Sequence, residues 1–136
     1  MAVLTPGTRV REFYSDFAKN LEQVPGRTDL SRRINESAVK ESIKNIVLTN
    51  KGERLFQPDF GCNINGSLFE NIDANTVIIL KDDITRAIRT YEPRCIVKNV
   101  EIVADLDTND IRATVLFSVI NNSNTTSLTI DLVRER

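Results

Sequence analysis

At 136 residues, with 18 basic and 19 acidic side chains, the chain has the size and composition of one soluble domain, long enough to bury a core without disulfides or metals. Its near-zero net charge argues against a nucleic-acid binder that relies on a general basic field, and no run approaches the roughly 20 apolar residues of a membrane span. Histidine is absent, which removes Ser-His and Cys-His catalysis and most zinc sites, so neither a metal nor a cofactor is expected.

Residues 1–35 read as an irregular arm. The opening Met1-Ala2-Val3-Leu4-Thr5-Pro6 has neither the charged nor the apolar region of a signal peptide, so a cytoplasmic chain is expected, with Cys62 and Cys95 as free thiols. Pro6-Gly7 and Pro25-Gly26 are turn signals, and the stretch from Arg9 to Tyr14 reads as extended. Phe13, Tyr14 and Phe17 give the arm something to dock with, either the domain's own core or a partner. Arg27, Arg32 and Arg33 read as a solvated basic cluster.

Residues 36–136 read as a single α+β domain. From about Glu36 to Thr49, Val39, Ile43, Ile46 and Val47 recur at helical spacing, with Asn35 as the expected N-cap and Asn50 and Gly52 as the stop. The next stretch, Lys51 to Cys62, carries Gly52, Arg54, Phe56, Pro58, Phe60 and Gly61. It reads as a structured loop anchored at both ends by Phe56 and Phe60. Asn65-Gly66 signals a turn, with Leu68, Phe69 and Ile72 packing a short helical turn on the core.

A second helix, capped by Asp73 or Asn75, should run to Tyr91 with Val77, Leu80, Ile84, Ala87, Ile88 and Tyr91 on one stripe. Asp82 and Asp83 face Arg86 and Arg89 along it. Pro93 lacks an amide hydrogen and disfavours helical geometry at Glu92, so the helix ends there and the chain leaves extended. Glu92 and Arg94 then flank a stiff corner, free to pair with each other, to cap backbone groups or to face another protein.

Beyond the corner the period becomes two. Ile96, Val100, Ile102 and Ala104 share one face of a strand. Ile111, Ala113, Val115, Phe117 and Val119 share one face of the next, and Leu128, Ile130 and Leu132 alternate along a third. Short polar connections imply an antiparallel meander, giving two main amphipathic helices packed on a three-stranded C-terminal sheet. The last strand, if marginal, leaves its edge open to another chain or shielded by Arg134, Glu135 and Arg136.

A carboxylate pair for glycoside cleavage would draw on Glu53, Asp59, Glu70 or Glu92, but 19 acidic residues offer such pairs by chance. No catalytic or nucleotide-binding motif stands out, and no catalytic residue is assigned.

Four features in order carry a resemblance: Phe13-Tyr14-Ser15-Asp16-Phe17; the helix running into Thr49-Asn50-Lys51-Gly52-Glu53-Arg54; Phe56-Gln57-Pro58-Asp59-Phe60-Gly61-Cys62; and Tyr91-Glu92-Pro93-Arg94 before three strands. In these the chain resembles the baseplate wedge proteins of contractile phage tails. This family, often called sheath initiators, has relatives in type VI secretion and other contractile injection systems.

The resemblance implies a non-enzymatic structural protein of the virion tail baseplate, assembled in the host bacterial cytoplasm. It implies that Glu92, Pro93 and Arg94 meet a helical bundle of larger wedge proteins. It further implies that the last strand, through Leu128, Ile130 and Leu132, pairs with the tail sheath protein and initiates its assembly. Tube or hub proteins are further expected partners; nucleic acid and membrane are not. Some family members carry a lysozyme label, so a peptidoglycan-cleaving enzyme is the alternative. The assembly role implied by the resemblance predicts that Arg94→Glu leaves the domain folded but prevents incorporation into wedges.

Overall fold

The computed structural model describes residues 11–26, 28–69, 73–105, 110–120 and 124–132. The chain divides into two compact units, Met1–Ala38 and Val39–Arg136. In chain order the elements are β1 (Ser15–Phe17), β2 (Arg32–Ile34), α1 (Asn35–Leu48), α2 (Ile64–Phe69), α3 (Ala74–Tyr91), β3 (Cys95–Asp105), β4 (Asp110–Val119) and β5 (Thr125–Leu132).

In the first unit β1 and β2 form an antiparallel pair in which Ser15 faces Ile34 and Phe17 faces Arg32. The strand thus lies C-terminal to the extended stretch expected at Arg9–Tyr14, of which Arg9 and Val10 fall outside the described residues. Arg27 falls outside them too, while Arg32 and Arg33 are exposed. Asn35 does not serve as the expected side-chain cap. Its Oδ1 accepts from the amides of Phe13 (2.8 Å) and Tyr14 (3.3 Å), and its Nδ2 donates to the Arg11 carbonyl. A φ of +48°, a region asparagine tolerates, turns the side chain back toward the preceding chain.

In the second unit the helical stripes are buried as their spacing predicts. Val39, Ile43, Ile46 and Val47 of α1 and Leu80, Ile84, Ala87 and Ile88 of α3 are inaccessible, while Val77 and Tyr91 are half-buried. Asp73 is the N-cap of α3: its carboxylate accepts from the Thr76 amide at 2.8 Å, which satisfies one of the helix's unpaired donors. Of the pairing expected between Asp82 and Asp83 and the arginines Arg86 and Arg89, Asp83 feels the charge of Arg86 but takes its close partners elsewhere. It meets Lys51 at 2.9 Å and accepts from the Asn63 amide at 3.0 Å.

Asn65-Gly66 is not a turn but part of α2, because the Ser67 amide and hydroxyl both bond back to the Asn63 carbonyl in helical fashion. The side chains of Leu68 and Phe69, and all of Ile72, lie outside the described residues.

The sheet is the expected antiparallel meander β3-β4-β5, with α3 packed on β3. On β4, Ile111, Ala113, Val115, Phe117 and Val119 are all buried. The inward face of β3 differs from the expectation. Cys95 and Val97 point into the core and Ile96 is exposed; an irregularity between Val97 and Asn99 then shifts the register. One extra residue at Lys98 inverts the alternation, which brings Val100 inside and keeps Val103 out. An alternating pattern read through Lys98 without that bulge assigns Ile96 to the wrong face.

The loop between α1 and α2 is ordered by its backbone. Gly52 donates to the Pro58 carbonyl, Phe60 to Gln57 and Cys62 to Thr49. Phe60 anchors it, but Phe56 does not: with φ +67° its side chain is 100% exposed. Cys62 and Cys95 are buried free thiols.

Candidate functional site

The α3–β3 junction is built by a conflict that the sequence itself imposes. Proline at 93 forces the helix to stop, and the Glu92 amide closes the last turn on the Ile88 carbonyl at 2.8 Å. At that point the chain leaves a glutamate only 2% exposed. A buried carboxylate needs partners, and Arg94 supplies them. Its Nε lies 2.7 Å from Oε1 and its second terminal nitrogen 2.8 Å from Oε2, a bidentate fork, while its amide also donates to Oε1. Burial by itself pushes the Glu92 pKa up. The Arg94 fork, a hydrogen bond from Ser42 of α1 and the arginine's charge outweigh it, and the carboxyl is held below the usual range. Pro93 is exposed at the apex and Arg94 is 26% exposed. Of the expected residues, therefore, Glu92 is the clamp beneath the corner, and Pro93 and Arg94 are its accessible part.

The structured loop meets the same junction. The Phe60 ring packs on Tyr91 with centroids 4.8 Å apart, and the Arg54 guanidinium stacks over Phe60 at 4.5 Å. Between loop and helix lies a cleft of about 250 Å³ lined by Lys51, Asp59, Gly61, Asp83, Arg86, Ala87, Thr90 and Tyr91. Gly61 has φ +101° and sits so close to the residue following α1 that an added Cβ would come within 2.1 Å of the Thr49 carbonyl oxygen. The roles of Ser42 and Tyr91 here carry no sequence signal, since each is set by a neighbour on another element.

On the side of β4 away from β3, β5 lies at the margin of the described sheet. Ile130 and Leu132 face Ala113 and Ile111 and are buried, and Leu128 opposite Val115 is half-buried. Thr125, Ser127, Thr129 and Asp131 are exposed. Arg134, Glu135 and Arg136 fall outside the described residues.

Of the four carboxylates considered for glycoside cleavage, Asp59 is exposed and lines the cleft, while Glu53 and Glu92 are held below the usual carboxylate range. Glu53 accepts from the Asn50 amide and side chain, which lowers its pKa. Glu92 is lowered as described. Asp83 in the cleft is also lowered: burial works against its charge, but the Asn63 amide, Lys51 and Arg86 prevail. A general acid needs the opposite shift. Glu70 lies outside the described residues. Among the described residues no cluster of His, Cys, Asp or Glu is placed to hold a metal ion.

A small α+β domain with a clamped, charged corner at one junction and a strand at the margin of the described sheet is the class these features define. The chain belongs to the baseplate wedge protein gp25 family, whose description matches residues 33–126. It is 33% identical over 113 residues to baseplate wedge protein gp25 of Enterobacteria phage T4, covering 83% of this chain and 85% of that one. A crystal structure from Geobacter sulfurreducens, provisionally named a tail lysozyme, superposes with a TM-score of 0.63 at 25% identity over 71% of this chain and 89% of the other. A chain in the anti-feeding prophage baseplate superposes at 0.62 with 22% identity, covering 88% and 85%. The resemblance drawn from the four sequence features is thereby met.

Proposed function

We propose that the protein is a non-catalytic structural component of a contractile-tail baseplate, attached to larger wedge proteins through Pro93 and Arg94 and initiating sheath assembly by strand pairing at β5. Family membership supports the baseplate setting. The observation that carries the docking role is the Glu92–Arg94 fork. A carboxylate 2% exposed fixes the guanidinium from below, so Arg94 meets a partner without losing side-chain entropy. Glu92 is a positioning residue in this reading. Among the described residues no strand pairs with the outer edge of β5, and Leu128, Ile130 and Leu132 would fix which face of an added strand turns inward.

The test is incorporation of the tagged full chain into baseplates formed with the other baseplate proteins of its source. Glu92→Met combined with Arg94→Met removes the guanidinium without stranding a charge; the folded double variant should be excluded from wedges, and normal incorporation would defeat the docking role. For the strand, deletion is uninformative because Ile130 and Leu132 belong to the core. Ser127→Lys with Thr129→Lys instead charges the exposed side of the margin. Baseplates should then form but nucleate no sheath, and sheath of ordinary yield would sink the idea.

The tail-lysozyme name of the Geobacter sulfurreducens structure favours a second reading, cleavage of peptidoglycan. The lowered pKa values of Glu53, Asp83 and Glu92 weigh against it. Turnover of purified cell wall by this chain, abolished by replacing one of these carboxylates, would reverse that judgement.

A further inference from the structure

Neither the corner nor the sheet margin uses the tip of the loop between α1 and α2, where Leu55 is 83% and Phe56 100% exposed. Phe56 also adopts φ +67°, a left-handed conformation unfavourable for a bulky side chain. Nothing about the tip is slack: Gly52 donates to the Pro58 carbonyl at 2.8 Å, and Gln57 donates to Arg54 at 3.3 Å. Folding gains nothing from holding two large apolar side chains in water and straining one of them.

The charges beside the tip are already sorted. Lys51 is paired with Asp83 at 2.9 Å, and Glu53 is turned back onto Asn50 at 2.8 and 3.1 Å. Arg54 lies over the Phe60 ring, a stacking that leaves guanidinium N–H groups at its rim able to donate. A cation therefore flanks the apolar pair, and the carboxylate next to it in sequence is withdrawn.

We propose that Leu55 and Phe56 form a docking knob that enters an apolar pocket on another baseplate protein, a pocket whose rim carries a carboxylate for Arg54. This rests on the assembly reading above. Phe60 against Tyr91 fixes the base of the loop to the last turn of α3, so knob and corner share one frame.

The test compares wild type, Phe56→Asn and Arg54→Glu in co-expression with the other baseplate proteins of its source, together with a full chain carrying p-benzoylphenylalanine at position 56. Asparagine tolerates positive φ, so Phe56→Asn should keep or raise the melting temperature while wedge incorporation falls about tenfold or more. Arg54→Glu should reduce incorporation similarly. The photoprobe should cross-link to an apolar segment of another baseplate protein with Asp or Glu close by. Undiminished incorporation of Phe56→Asn, or cross-links only to a second copy of this chain or to lipid, overturns the knob while leaving the corner standing. Failure of the wild type itself to incorporate removes the assembly reading, and the knob with it.

Discussion

Replacing Arg94 alone should unfold this domain far more readily than a surface position would suggest. In Arg94→Met the Glu92 carboxylate keeps the Ser42 hydroxyl and the backbone amide of residue 94, but loses both arms of the fork at 2.7 and 2.8 Å while remaining 2% exposed. Removing one partner of a buried pair costs about 3–5 kcal/mol, and the two surviving donors place this case near the lower end. Arg94→Glu sets a second carboxylate against the first and should be worse, which revises the expectation that it leaves the domain folded.

Replacing both residues by methionine removes the stranded charge, so the double variant should recover most of the loss. The coupling in a double-mutant cycle should exceed about 1.5 kcal/mol. Urea unfolding of wild type, the two single variants and the double variant measures all four corners. An Arg94→Met loss below about 1 kcal/mol, or additive single effects, would refute the clamp. The pH dependence has a definite sign. Because the folded-state pKa of Glu92 is depressed, its contribution is fully present above the ordinary glutamate value of about 4.3 and is lost as pH falls from there through the folded value. Glu92→Gln should therefore flatten the acid limb of the stability profile.

Gly61→Ala should lower stability by at least about 2 kcal/mol in denaturant unfolding, since φ +101° and a 2.1 Å approach to Thr49 oppose it together. Gly52→Ala, at φ +87° with nothing within 4 Å, should lose only about 1–2 kcal/mol; equal losses would show that the Thr49 contact is not the cause. Burial, reinforced by the charge of Asp83, pushes the Cys62 thiol up to about 12, and burial with Glu92 pushes Cys95 up to about 11. Neither should react with a maleimide at pH 7 until the domain is unfolded in urea, and prompt labelling of the native protein would contradict this. Asp73→Ala should lower the urea midpoint by loss of the α3 cap; no change would mean that the Thr76 contact is not stabilising.

The sequence by itself determined the elements whose causes are local. The stripe of Leu80, Ile84, Ala87 and Ile88, the stop at Pro93 and the alternation of Ile111 to Val119 all follow from spacing and backbone chemistry within a few residues. The antiparallel meander follows as well, because short connections permit little else. Tertiary structure decided what depends on groups remote in the chain. The bulge at Lys98 inverts β3, because the register with β4, and not the local alternation, settles which of Ile96 and Val97 is buried. Asn35 is ambiguous between cap and turn until the amides of Phe13 and Tyr14 and the Arg11 carbonyl supply its hydrogen bonds. Phe56 looks like an anchor and stands in solvent, since the loop's backbone bonds turn it outward. Glu92 looks like a surface charge and is a buried clamp, because only the folded arrangement brings Ser42 of α1 and the fork of Arg94 to one carboxylate. Hydrophobic periodicity is written along the chain, whereas the partner of a buried charge is chosen across it.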